Sequence, residues 1–407
     1  MTNITRREPS LGGLPTNDKG KRRLSLRRLG TMLNMLSPSA VSLDATREML
    51  QSDDFFVRYN AAKLLSKRGD RDARKLMESA LHTGNARTRA SIARHLYGLT
   101  WFSAESLIKL ALKDEDPRVR EAAIYTLCDL KELAAYKLME TALKGEVDSV
   151  LEAAAFGLRE TSDPAALPVL EIVLDAEDAE VRIKALEALG MCGLPQAMPI
   201  VREAMNDREP DVKYSATLSL LELAGEGWLS ELAGVIGRTT GNTLEQVLKA
   251  FFHATNYLKI DVANSDSADL MIDALETALL DESVAVRKAA TWPLAWLRHE
   301  RTPKILLKTY RLETEPEVKA HIVRIGAGLM SEVSEQILAD AINSTQEEVH
   351  EAAAKIYSER ERTGTVAQYK ADAYEGMAMN ASLLGSGKLS NRSERATPPS
   401  HRTKERN

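Results

Sequence analysis

The chain has 407 residues, 28% of them charged, with a formal net charge of −5 and only two cysteines. Length alone allows two or three ordinary domains, but two cysteines exclude a disulfide framework, and neither a secretion signal nor a membrane-spanning run is present. Apolar residues reach 44% while aromatics stop at 5%, a balance suited to a core of Ala- and Leu-rich helices.

Charge is unevenly spread. Residues 1–38 carry +6 and residues 385–407 carry +4, which leaves −15 on the stretch between them. Residues 1–20 are rich in Gly, Pro, Asn and Thr and are expected to be disordered. Over residues 21–36, Leu26, Leu29, Leu33 and Leu36 form a helical stripe flanked by Lys21, Arg22, Arg23, Arg27 and Arg28. Two readings stay open: a helix capping the end of a repeat stack, or a basic amphipathic helix on a membrane or partner.

From residue 39 a repeat takes over. Its opening positions are Val57, Thr88, Val119, Val150, Val181, Val212, Leu244, Val286, Val318 and Val349, spaced by 31 or 32 residues with one interval of 42. A period in this range means stacked helical units. Counting from the opening residue, position +4 is Ala in seven units, for example Ala61, Ala123 and Ala185, and position +8 is Leu in seven, for example Leu65, Leu127 and Leu189. Residues 0, +4 and +8 share one helical face, and the small middle residue lets a neighbouring helix approach closely. A second apolar helix lies upstream of each opening position, as over 104–113 and 135–144. Each unit is therefore a helical hairpin, and residues 39–362 are expected to form one all-α stack of about ten.

The turn before each opening residue has its own chemistry. An acceptor stands at −3, as in Asp54, Asp116 and Asp178, placed to cap the following helix. Pro117, Pro210 and Pro316 follow such residues at the first helical position, where a missing N–H costs nothing. A base stands at +1, as in Arg58, Arg120, Arg182 and Arg287. The fourth and seventh units lack both acid and base, which suggests that Asp54, Arg58, Asp116, Arg120, Asp178, Arg182 and Arg287 stabilise the repeat as acid–base pairs, within a unit or across neighbours.

The pattern breaks in the seventh and eighth units. Glycines crowd residues 225–241, about ten extra residues follow Tyr257, and Trp292 and Trp296 flank Pro293 inside an expected helix, where proline removes a hydrogen bond. Phe251, Phe252, His253, Tyr257, Trp292 and Trp296 form the candidate protein-binding patch, since aromatic clusters beside long loops often mark recognition sites. The alternative is that these rings fill an irregular junction. Residues 363–384 are read as a closing helix and residues 385–407 as a solvated basic tail.

The run acid-x-x-Val-Arg-x-x-Ala-x-x-x-Leu resembles the HEAT-like repeat family, closest to its short, phycobilisome-lyase-like subtype, over about residues 40–360. The resemblance implies a right-handed α-solenoid whose second helices, those opening at the Val-Arg pairs, line a concave side. Some relatives are enzymes. Deoxyhypusine hydroxylase holds iron through repeated His-Glu pairs; this chain has His350-Glu351 in register and His299-Glu300 out of register, too few ligands for a two-metal centre.

No catalytic residue, metal site or cofactor is therefore assigned. Cys128 and Cys192 are read as buried apolar side chains. The acidic body argues against wrapping nucleic acid, so nucleic acid or acidic membrane is expected to involve only the basic tails. The sequence points to a cytoplasmic, non-enzymatic scaffold or adaptor that holds another protein, one with a basic patch or segment. The alternatives are a regulatory or lyase-like enzyme subunit and a tail-mediated adaptor on nucleic acid or membrane.

Overall fold

A computed structural model describes residues 41–224, 227–258, 267–329 and 331–363, with backbone only at 255–258 and 363. The expected features over 1–38, 364–384 and 385–407 lie outside the described residues. Among those described there is no strand, and twenty α-helices form ten hairpins. The first helices are α1 (Leu43–Leu50), α3 (Arg71–Thr83), α5 (Trp101–Ala111), α7 (Leu133–Ala142), α9 (Leu167–Val173), α11 (Met198–Ala204), α13 (Trp228–Ile236), α15 (Ala268–Ala278), α17 (Thr302–Leu312) and α19 (Glu332–Ile342). The second helices are α2 (Phe55–Arg68), α4 (Ala86–His95), α6 (Pro117–Leu130), α8 (Asp148–Leu158), α10 (Ala179–Met191), α12 (Pro210–Ala224), α14 (Gly241–Leu258), α16 (Val284–Trp296), α18 (Pro316–Gly326) and α20 (Glu347–Thr363). The chain divides into two compact units, Met1–Pro293 and Leu294–Asn407.

In the first unit, successive second helices α2 to α14 pack side by side; the first helices α1, α3, α5, α9, α11 and α13 pack on their own second helices, while α7 packs on α6 and α9. The buried seam is the one the repeat encodes: all seven alanines at +4 are fully buried, and the leucines at +8 are at most 1% exposed. Hydroxyls stitch neighbouring second helices together. The Thr126 Oγ1 donates to the Ala93 carbonyl at 2.7 Å, and the Ser219 Oγ to Leu186 O at 2.8 Å. Both occupy position +7 and reach position +5 of the preceding helix, so no buried hydroxyl is left unpaired at those contacts.

The helix starts follow their sequence signals. Asp54 accepts from the amides of Phe56 and Val57, Asp116 from Arg118, and Asp178 from Glu180. Pro117, Pro210 and Pro316 are the first residues of their helices. Helix α2 ends on Gly69 at φ 59°, a left-handed cap that a Cβ disfavours. In the second unit α17 packs on α19 and α18 on α20, with Arg360 making two bonds to Glu335 at 2.9 and 3.0 Å.

Candidate protein-binding surface

The base at +1 is tied down in two directions. Backwards, its Nη1 donates to carbonyls five and six residues earlier, at the end of its own hairpin turn: Arg58 to Ser52 O, Arg120 to Asp114 O, Arg182 to Ala176 O and Glu177 O, Arg287 to Asp281 O and Glu282 O. Forwards, it crosses to the next hairpin. Arg89 grips Asp114 through Nε and Nη2 at 2.7 and 2.8 Å, Arg120 reaches Glu146 at 2.9 Å, and Arg182 grips Asp207 at 2.8 and 2.9 Å. Such two-point pairs fix geometry as well as charge.

The rungs correct one expectation. The acid at −3 does not pair with the base in these rungs; its carboxylate caps its own helix, and the base's partner is a different acid, at −5 or −4 of the following unit. That acid also braces the turn, since Asp114 and Asp207 accept from the amides of Asp116 and Glu209. Burial pushes the Asp207 carboxyl up, but the bonds from Arg182 and the Glu209 amide bring it below its usual range. In the fourth hairpin, which lacks the base, Leu151 stands at +1 and Ala176 at the facing turn position; both are buried. Apolar residues thus stand at both rung positions there.

With the +1 row buried in these rungs, positions +2 and +6 of the second helices stay partly open to solvent over the first four hairpins. There the first four hairpins carry a run of rings and cations. Phe55 packs on Tyr59, Tyr59 sits edge-on to His95 at 4.3 Å, and His95 lies 6.1 Å from Tyr97. The Arg94 guanidinium lies between Tyr97 and Tyr125, 5.7 and 5.4 Å from their ring centres, and Tyr125 meets Phe156 edge-on at 6.2 Å. Phe55 and Phe56 are each 56% exposed and Phe156 is 63% exposed. Carboxylates surround the far end. Burial and then the neighbouring Glu121 and Glu152 raise the Tyr125 phenol, Asp129 pairs with Arg94, and Glu187 lies 3.6 Å from Arg159.

The aromatic patch expected in the seventh and eighth units has a different form. Phe251 is fully buried against Trp228 at 5.8 Å, so it is core and presents no surface. Phe252 and Trp292 pair at 5.4 Å, both half-buried. His253 turns to the Tyr214 hydroxyl at 2.5 Å. Trp296 is half-buried in the second unit, and the Tyr257 side chain lies outside the described residues. Pro293 sits inside α16 without ending it.

Cys128 and Cys192 are free and buried, and burial pushes the Cys128 thiol up to about 12. His350 is exposed, with its Nδ1 2.8 Å from Ile342 O. Among the described residues no three His, Cys, Asp or Glu side chains are grouped as metal ligands, and no helix is long and apolar enough to cross a membrane.

Comparison with known proteins agrees with this architecture. Models for HEAT repeats match residues 137–221 and, as a single HEAT repeat, 105–134; a model for the HEAT repeat associated with sister chromatid cohesion matches 264–290. No curated protein matches the chain. Among solved structures, the karyopherin Kap121p bound to the extreme C-terminus of the protein phosphatase Cdc14p is similar, with a TM-score of 0.52 at 13% identity, over 81% of this chain and 43% of that one. Kap121p bound to Ste12p gives 0.52 at 12% identity, over 87% and 45%. The chain thus spans less than half the length of those karyopherins, and the likeness is one of fold.

Proposed function

The chain is a HEAT-repeat protein, and from that premise we propose that it acts in the cytoplasm as a non-enzymatic scaffold that holds another protein along its second-helix, concave face. Two buried free thiols suit a reducing compartment. The partner supplies a basic segment. The observation that carries this reading is the ring-and-cation run from Phe55 to Phe156. Exposed aromatics over several consecutive helices are unusual in a chain that is only 5% aromatic, and rings of this kind anchor protein interfaces. Glu121, beside Glu152, Asp129 and Glu187 that are themselves paired with Lys184, Arg94 and Arg159, gives a basic segment a carboxylate to meet and partners to exchange. The long stems of Lys and Arg cover ring faces while their heads reach carboxylates. The likeness to Kap121p, bound in those structures to the extreme C-terminus of Cdc14p and to Ste12p, fits a role of this type.

The test uses fluorescent twelve-residue peptides of Lys, Arg and Leu, with Glu replacing the bases in a control, and anisotropy on the full chain. Saturable binding of the basic peptide is expected, weakened about tenfold by Phe156→Ser or Glu121→Lys. Phe102→Ser, on the 91% exposed Phe102 of α5, should leave it unchanged. Equal binding of both peptides, or no effect of the first two variants, overturns the proposal.

A further inference from the structure

We infer that this surface has a resident competitor: the chain's own residues 21–29 dock across Tyr125 and Phe156 and hold the face until a partner displaces them. The inference rests on reading that face as the binding surface. Its first support is chemical complementarity. Lys21, Arg22, Arg23, Arg27 and Arg28 are interleaved with Leu24, Leu26 and Leu29, a pattern that offers cations and apolar side chains together. The face offers the exposed Phe156 ring, the half-buried Tyr125 ring, and the carboxylates of Glu121, Glu152 and Asp129.

The second support is the acid this face keeps open: Asp129 pairs with Arg94 and Glu152 with Lys184, which leaves Glu121 as the carboxylate beside Tyr125 outside those ion pairs. Asp114, Glu146 and Asp207 are taken up by arginines in the rungs, with side chains 10 to 16% exposed. Glu160, just past the end of α8, is by contrast exposed. The third support is reach. Eleven residues lie between Leu29 and Val41, twelve steps of chain, and an extended chain covers up to about 3.3–3.6 Å per residue, roughly 40 Å. Packed helices lie about 8–10 Å apart, so α8, three second helices beyond α2, falls within that distance. A tethered segment also acts at an effective concentration in the mM range, so modest contacts suffice. The other basic segment, residues 385–407, has a single leucine, Leu389, and lacks the apolar half of the match.

Zero-length carbodiimide cross-linking of the full chain tests this directly, with equal parts of isotopically light and heavy protein to separate links within one molecule from links between two. Expected are same-isotope links from Lys21 to Glu121, Glu152 or Glu160, lost in Arg22→Glu/Arg23→Glu. The same double variant should bind the basic probe peptide about tenfold more tightly than the parent. Lys21 links that fall elsewhere, or measurable probe binding that the double variant leaves unchanged, overturn the inference. If the links form but the double variant still binds no probe, self-docking stands and the partner reading fails. If the probe binds parent and variant equally and the links are absent, the partner reading stands and self-docking fails.

Discussion

Arg182 and Asp207, 25 residues apart and on consecutive hairpins, meet through two parallel hydrogen bonds while the arginine side chain is only 4% exposed. Removing one member of such a pair leaves the other desolvated without its counter-charge. Arg182→Leu should therefore cost about 3–5 kcal/mol in urea unfolding. The chain already shows the neutral solution, Leu151 with Ala176. Arg182→Leu/Asp207→Ala should thus recover most of that loss. A double variant no more stable than the single one would mean that the pair contributes little and the turn carbonyls are what Arg182 serves.

His95 is 1% exposed. Its Nδ1 donates to Ser91 O at 2.8 Å, and its Nε2 is buried with no hydrogen-bond partner. Burial first, then the Arg94 and Lys63 charges, lower its pKa below 6.5 against the raising effect of the Ser91 bond. A group with a depressed folded pKa that is charged when protonated stabilises the fold fully above the unfolded value. It gives that contribution up as pH falls below about 6.5 towards the folded pKa. The midpoint of thermal unfolding should drop over that range, and the drop should be shallower in His95→Phe. Parallel pH profiles for parent and variant would refute this.

Asp178 caps α10 through the Glu180 amide. Asp178→Ala should destabilise the chain by about 1 kcal/mol and Asp178→Asn by much less. Equal losses would show that charge, through the helix dipole, outweighs the capping bond.

Neither thiol should react with an aromatic disulfide reagent in the native state. Cys128 is buried with its pKa near 12, so thiolate is scarce as well as hidden. Reaction should appear only with urea, in step with unfolding. Gly157 closes over the same sulfur: a Cβ there would lie 2.5 Å from Sγ. Gly157→Ala should therefore lower stability, and Cys128→Ala should relieve the added strain. Early labelling of Cys128 in the native protein would contradict its burial.

The hairpins were legible because they depend on local chemistry. The Val, Ala and Leu spacing marks the buried seam, and Asp54, Asp116 and Asp178 mark the caps. The rungs were not, because the partner of each arginine shifts between −5 and −4 and changes from Asp to Glu, while the regular acid at −3 looked like the obvious mate. The ring-and-cation run was harder still. Tyr59 stands at +2, Tyr97 at +9, and Tyr125 and Phe156 at +6, so they form one surface only once four helices are stacked. The row at +6, with Tyr125, Phe156 and Trp292, was the available clue. Trp292 and its neighbours stood out in the sequence through local crowding, yet crowding does not separate a ring such as Phe251, which fills the interior, from one that faces water.

Because each arginine in the rungs reaches towards the acid of the hairpin that follows, the modules carry an order. Deleting the third hairpin would bring Arg89 to Glu146, a fresh match. Deleting the fifth would bring Leu151 to Asp207 and strand a carboxylate. Copies in this stack are thus not all interchangeable: the residue at each turn decides which neighbour can follow without leaving a carboxylate stranded.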